Sequence, residues 1–270
     1  QGLMRFDPQT GIFHTLPGSE ANTSRYGENI VRAIVEDRDG FLWYGTDETG
    51  LHKMDADGHP VAAYAPVENS TNCLSDNYVT CILPGRRGCL WIGTAHGGLN
   101  RFDPAAQAFT RYQSDPEKRN TLSHNNVICL HEDRAGFLWV GTADGLNRLD
   151  PETGTFQNYF MADGLPDNSI RGILEDGQGN LWMSTNRGIS RFSPVLGIFR
   201  NYDQNDGLVS NEFGSRSCFQ NRKGEMFFGC AAGFTVFQPG QVAINTHVPP
   251  VVMTGFSVMG KPVSTHRFNA

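Results

Sequence analysis

Short runs rich in apolar residues are cut every few positions by Gly, Asp, Asn and Pro along this chain, and helical periodicity is lacking. The runs come in a fixed order. "IVRAIVED" from Ile30, "YVTCILPG" from Tyr78, "VICLHED" from Val127 and "IRGILED" from Ile170 each precede a glycine-closed turn: "DRDG", "GRRG", "DRAG" and "GQG". Next comes "FLWYGT" from Phe41, "CLWIGT" from Cys89, "FLWVGT" from Phe137 or "NLWMST" from Asn180. A third run follows, such as "GLNRFDP" from Gly98, and then an aromatic-bearing fourth, such as "TFQNYF" from Thr155. The tryptophans at 43, 91, 139 and 182 are spaced 48, 48 and 43 residues apart, and Phe227 in "EMFFGC" stands 45 further on.

Four short strands in a repeat of this length predict an all-β chain of four-stranded antiparallel β-propeller blades. "GLMRFDPQTGIFHTL", Gly2 to Leu16, matches only the last two strands of a blade, so the expected count is about five and a half, alone or as part of a larger ring. Each Trp falls in a second strand, where a large flat side chain wedges against the neighbouring blade. The Gly after it is expected to permit a tight departure from the strand. The domain reading is a propeller over residues 1–243, then a linker and the first strands of a following β domain over 244–270, opened by the Pro249–Pro250 pair.

Composition changes this picture little. With 270 residues and a net charge of −6, the chain lacks the basic face that nucleic acid needs. No apolar run approaches a membrane span. The first residue is Gln1 rather than Met, which reads as a piece of a longer protein. The six cysteines form no CxxC pair. Cys81 and Cys129 share a slot with Ala33, Gly172 and Ser217, as small residues at a tight position would.

The units "ED..GFLWYGT…GLHKMD" and "ED..GFLWVGT..GLNRLDP" resemble the two-component regulator propeller repeat. "GLVSNEF…GEMFFGCAAGFTVFQP" resembles the closing blade of such sensors, and "PPVVMTGFSVMGKPV" the start of the Ig-like, triple-tyrosine domain that follows. The resemblance implies a periplasmic sensor of a Bacteroidetes hybrid two-component system that recognises glycan fragments. It implies an oligosaccharide or other small periplasmic ligand, a homodimer formed through the parent protein, and a membrane segment and histidine kinase outside this chain.

Catalytic motifs are missing: there is no nucleophile elbow, P-loop or zinc-binding HExxH. No catalytic residue, metal or cofactor is expected. "DRDG" at Asp37 imitates part of a calcium loop, but its counterpart in the next unit, "GRRG", has no ligand to offer a cation. Eleven residues before each blade aromatic stand Arg32, Thr80, Ile128, Arg171 and Arg216, in the innermost strand. The three arginines either line the channel mouth, where a planar fork of donors suits carboxylate or sulfate, or pair with carboxylates such as Glu36, Glu132 and Glu175. Asn29, Asn77, Asn125 and Asn168 each stand fourteen before a Trp, as turn formers bonded to their own backbone or as binding residues beside Tyr26 and Tyr78. The functional expectation is a non-enzymatic sensor. The alternatives are a lyase-type enzyme on the same scaffold and a non-signalling interaction scaffold.

Overall fold

The computed structural model of this chain describes residues 3–16, 30–242, 256–258 and 261–263. Strand order follows chain order throughout. A hairpin of β1 (Met4–Asp7) and β2 (Ile12–Thr15) forms the half-blade. Blade 1 is β3 (Val31–Glu36), β4 (Leu42–Thr46), β5 (Leu51–Met54) and β6 (Pro60–Tyr64). Blade 2 is β7 (Val79–Pro84), β8 (Leu90–Thr94), β9 (Leu99–Asp103) and β10 (Ala108–Tyr112). Blade 3 is β11 (Val127–Glu132), β12 (Leu138–Thr142), β13 (Gly145–Asp150) and β14 (Thr155–Tyr159). Blade 4 is β15 (Ile170–Glu175), β16 (Leu181–Thr185), β17 (Gly188–Ser193) and β18 (Ile198–Tyr202). Blade 5 is three-stranded among the described residues: β19 (Cys218–Gln220), β20 (Met226–Cys230) and β21 (Gly233–Phe237). The first strand of each blade touches the first strand of the next, which makes them the inner ring of a β-propeller.

The chain divides into two compact units, Gln1–Pro239 and Gly240–Ala270. The second contains one described hairpin, β22 (Phe256–Val258) with β23 (Lys261–Val263). The rest of the expected Ig-like segment lies outside the described residues.

The core is a series of inter-blade seams, each centred on the repeated Trp. Trp43 packs with Leu74, Val79, Ile82 and Phe102 of blade 2, and Trp91 with Leu122, Val127, Leu138 and Phe156 of blade 3. Trp139 packs with Ile173, Leu181, Met183 and Phe192 of blade 4, and the Trp182 ring lies 4.8 Å from that of Phe237 in blade 5. Two polar contacts fix the indole. Its N–H donates to an aspartate of the preceding turn: Trp43 to Asp37 at 2.8 Å, Trp139 to Asp133 at 2.7 Å, Trp182 to Asp176 at 3.0 Å. Its cross-strand partner is Lys53, Arg101, Arg148 or Arg191, whose cation lies over the ring. The "DRDG" turns are therefore neither cation loops nor turn chemistry alone: their first carboxylate is the anchor of the wedge. Blade 2 lacks it, because Gly85 takes the place of the aspartate.

The Gly that follows has a different cause from the one its sequence context suggests. Gly45, Gly93 and Gly141 are not among the residues at positive φ. A Cβ at Gly45 would stand 2.3 Å from a Val79 methyl, at Gly93 2.6 Å from Val127, and at Gly141 2.8 Å from Ile170. The next blade's first strand rests directly on this backbone, and any side chain would hold the blades apart. The Thr after it closes the turn to the third strand, its hydroxyl donating to the carbonyl of Gly98 or Gly145 at 2.8–2.9 Å, as Thr185 after Ser184 does to that of Gly188 in blade 4.

Asp176 gives the wedge a pH signature. Burial pushes its carboxyl up, but the donated bonds from Trp182, Asn180 and Gln178 outweigh burial and hold it below the ordinary carboxylate range. A depressed folded-state value contributes stability that is complete above the unfolded value near 4 and is lost as pH falls through the folded one. Asp176→Asn is expected to cost about 1–3 kcal/mol at neutral pH. The difference from wild type should shrink below pH 4 in thermal melts run across the acid range; a constant gap would contradict this assignment.

Candidate functional site

The position of Arg32, Thr80, Ile128 and Arg171 has a backbone cause. In blades 1 to 4 the first strand loses register with the second between the residue before it and the residue after: Val31/Ala33, Val79/Cys81, Val127/Cys129 and Ile170/Gly172. The four residues are the extra members of four matched β-bulges. A bulge frees one residue from the ladder and re-aims its side chain, which is why bulges gather at barrel rims and sites. The inner strands start at this end, and the loops between second and third strands reach the same face.

The side chains there form linked pairs. Arg32 meets Asp47 at 3.2 Å and its guanidinium lies 5.4 Å from the centre of the Tyr78 ring. The Tyr78 ring in turn meets His96 edge-on at 6.2 Å. Asp76 accepts from the Tyr78 backbone N–H at 3.1 Å and pairs with His96 at 3.2 Å. Arg171 donates to Asn186 Oδ1 and Ser215 Oγ, both at 3.0 Å. Thr80 donates through its hydroxyl to the Val127 carbonyl at 2.6 Å, and Ile128 is buried.

Arg216 stands apart. Its φ of 59° places a non-glycine residue in the left-handed region, a conformation that persists only where its surroundings demand it. Its backbone N–H donates to the Arg171 carbonyl at 2.6 Å. Its guanidinium reaches the carbonyl of Arg32 in blade 1 at 2.8 Å and also that of Thr80 in blade 2. The sequence places Arg216 in an inner strand, but it stands in the turn two residues before β19, and from there its side chain ties blade 5 to the first two inner strands. Beneath it, burial pushes the Cys81 and Cys218 thiols up to about 11 and the Cys129 thiol well above its usual range, so the sulfurs of the inner strands are protonated packing groups.

Of the three arginines, Arg32 has a carboxylate partner among the described residues, and it is Asp47 of its own blade rather than an acid of the neighbouring one. Glu132 pairs with Arg86 at 3.4 Å, and Glu175 with His131 at 3.2 Å and Arg134 at 3.8 Å. The asparagines bind more than their own turns. The carbonyls of Asn77, Asn125 and Asn168 accept from Gly50, Gly98 and Gly145 of the preceding blade at 2.7–3.0 Å. The Asn125 side chain accepts from the Ser114 N–H at 2.8 Å, and that of Asn168 bridges Met161 at 2.7 Å and Asp144 at 2.8 Å. Asn77 is exposed beside Asp76. Tyr26 and Asn29 lie outside the described residues. Arg32 and Tyr78 are thus brought together, Arg171 and Arg216 adjoin them through backbone, Asn125 braces its own loop, and Asn168 ties its loop to the Asp144 turn of blade 3.

Asp47, Asp76, His96, Asn186 and Ser215 are site residues that sequence reasoning missed. One signal was visible for most of them. The residues just after each Gly-Thr or Ser-Thr, "DET", "AHG", "AD" and "NR", vary among otherwise repetitive units.

The family described as two component regulator propeller matches residues 26–48, 73–96, 121–144 and 164–187, each segment running from before a first strand to the turn after a second. The extracellular domain assigned to a hybrid two component system from B. thetaiotaomicron superposes with a TM-score of 0.78 at 26% identity, over 98% of this chain and 36% of that one. This chain thus spans about a third of that relative. Virginiamycin B lyase from Staphylococcus aureus superposes with a TM-score of 0.57 at 14% identity, over 77% of this chain and 69% of that one, a likeness of fold alone. No curated protein matches. No helix among the described residues is long and apolar enough to cross a membrane.

Proposed function

This chain belongs to the two-component regulator propeller family, and from that premise we propose that it is the extracytoplasmic sensing part of a hybrid two-component protein. In this reading it lies in the periplasm, binds a glycan fragment at the channel mouth, and passes that event to a histidine kinase outside this sequence, through a homodimer of the parent protein. Binding rather than catalysis is supported by the likeness to the extracellular domain assigned to a hybrid two component system. The observation that carries the ligand class is the Arg32–Tyr78 stack, flanked by Asp47, Asp76 and His96. An aromatic face beside fixed planar donors and carboxylate acceptors suits a sugar ring, which offers apolar C–H faces and a rim of hydroxyls.

Thermal-shift and calorimetric titration with neutral, acidic and sulfated oligosaccharides tests this. At least one class should raise the melting temperature. Arg171→Ala, which removes a partly exposed side chain bound to Asn186 and Ser215, should weaken that ligand about tenfold while leaving the unliganded melt within a few degrees. A mutant of undiminished affinity would remove Arg171 from the site. Silence across the whole panel would remove the glycan.

A further inference from the structure

The seams between blades are built from two matched parts, a wedge and a socket. The wedge is the second-strand Trp of one blade. The socket lies on the next blade and is a pair of residues directly opposite each other on its third and fourth strands. Trp43 lies 5.8 Å from Phe102, which is paired with Phe109. Trp139 lies 5.8 Å from Phe192, which is paired with Phe199. Trp91 packs with Leu149 and Phe156, which are paired in the same way. Phe102, Leu149 and Phe192 are fully buried in these seams.

The half-blade carries the same socket on its surface. Phe6 on β1 and Phe13 on β2 stand directly opposite each other with ring centres 4.8 Å apart, and they are 49% and 60% exposed. Blade 5, at the other end of the row, presents the wedge. Phe227 holds the position of the Trp, with Phe219 opposite it on β19 and Val236 opposite it on β21. In blades 1 to 4 the third-strand residue opposite the Trp is a cation, so this face of blade 5 is the more apolar one. Phe234, two residues before Val236 and hence on the same face, lies 6.0 Å from the Phe227 ring. Phe219 is 63% exposed and Phe234 60%, whereas Leu51, Leu99, Leu146 and Ile189, which hold the place of Phe234 in the other blades, are buried.

A row of stacked repeats stays soluble when its end repeats turn polar faces outward. Both end faces of this row are aromatic, and they are of opposite kind, a socket at the half-blade and a wedge at blade 5. A sheet with a wedge on one side and a socket on the other complements both, and blades 2, 3 and 4 of this chain are such sheets. We propose that a further blade of this repeat, supplied by the parent protein, docks between blade 5 and the half-blade. Its second-strand aromatic enters the Phe6–Phe13 socket, and its own third- and fourth-strand pair receives Phe227. The proposal rests on the reading of this chain as part of a longer protein, and it requires neither the glycan nor the kinase.

The test lengthens this chain with its own repeat. A copy of residues 121–187 placed directly before Gly2 adds one blade and the two strands that the half-blade lacks. The lengthened chain should melt about 5–10 °C above this one. Phe6→Asp combined with Phe13→Asp should lower the melting temperature of the lengthened chain by about 5 °C or more, and that of this chain by less than about 2 °C, because the pair is buried only in the former. A lengthened chain that melts no higher, or an Asp pair that costs both chains equally, would overturn the proposal. Sedimentation reports the rival occupant. The lengthened chain should be a monomer, and dimers of it that dissolve on Phe13→Asp would assign these faces to a second copy. Should the lengthened chain not fold, hydrogen exchange on the parent protein decides. Amides of β1, β2 and β19 to β21 should exchange about tenfold or more slowly there than in this chain, and equal rates would sink the idea. The oligosaccharide titrations are read separately, so this inference and the sensor reading can each fail alone.

Discussion

Trp139→Ala will destabilise the propeller by about 3–5 kcal/mol and lower its melting temperature by roughly 6–20 °C. Trp139 is fully buried at the seam between blades 3 and 4, against Leu146, Ile173, Leu181, Met183 and Phe192. Its ring stacks on Tyr159 at 6.0 Å and meets Phe192 edge-on at 5.8 Å. Truncation opens a cavity that the flanking strands cannot fill, since each is fixed by its own ladder. It also strands Asp133, a buried carboxylate whose Oδ2 accepts the indole N–H. Leaving such a group unpaired adds about 1–3 kcal/mol. Trp91→Ala removes a similar apolar area but leaves no turn carboxylate behind, because blade 2 has Gly85 there. The two mutants, melted side by side by circular dichroism, should therefore differ, with Trp139→Ala the less stable. Equal losses would mean that the Asp–indole bond contributes nothing, and a loss below about 1 kcal/mol in Trp139→Ala would mean that the blades do not wedge on this residue.

The architecture was legible because its cause is local and repeated. A Trp every forty-odd residues, a turn six residues before it and a Gly-Thr after it mark the second strand of each blade, and the pairing registers agree with that reading in four blades. The Asp-to-Trp spacing of six was equally visible, at 37/43, 133/139 and 176/182, yet suggested only a turn. A turn aspartate accepts its own backbone N–H groups in any loop, and nothing in a single strand shows that the second oxygen faces an indole on the next one. The glycine that breaks that spacing at Gly85 counted only against a cation loop, for the same reason.

The mouth was half legible. Arg32, Arg171 and Arg216 stood out because charge in an innermost strand breaks the packing pattern, and the structure places all of them around the start of the inner ring. What they touch was hidden by distance along the chain. Arg216 bonds carbonyls 184 and 136 residues away, contacts that exist only once the ring has formed. The bulge that lifts each of these residues from its ladder was hidden too, since it has no composition of its own: Arg, Thr, Ile and Arg all occupy it. Asp47, His96 and Asn186 sit in short turns that read as punctuation, and only the scaffold shows that these turns converge with the bulges on one face.

The Gly-Thr glycine yields the second large effect, and it separates close approach from conformational freedom. Gly141→Ser places a Cβ 2.5 Å from the Cys129 sulfur and 2.8 Å from Ile170, at a backbone any residue can adopt, and is expected to cost about 2–3 kcal/mol. Blade 4 shows how the chain accommodates that side chain. There Ser184 replaces the glycine, and the residue directly opposite it is Gly172, where blade 3 has Cys129 opposite Gly141. Each cross-strand pair has room for one side chain. Adding Cys129→Gly to Gly141→Ser therefore returns the blade 3 pair to the blade 4 arrangement and should recover part of the loss, the remainder belonging to Ile170. Chemical denaturation of the two single mutants and the double closes the cycle, and the expected coupling is stabilising, since the sites share one contact. Were the losses simply additive, the glycine would be needed for its backbone after all. Were Gly141→Ser harmless, the blades would stand further apart than the seam between Gly141 and Ile170 requires.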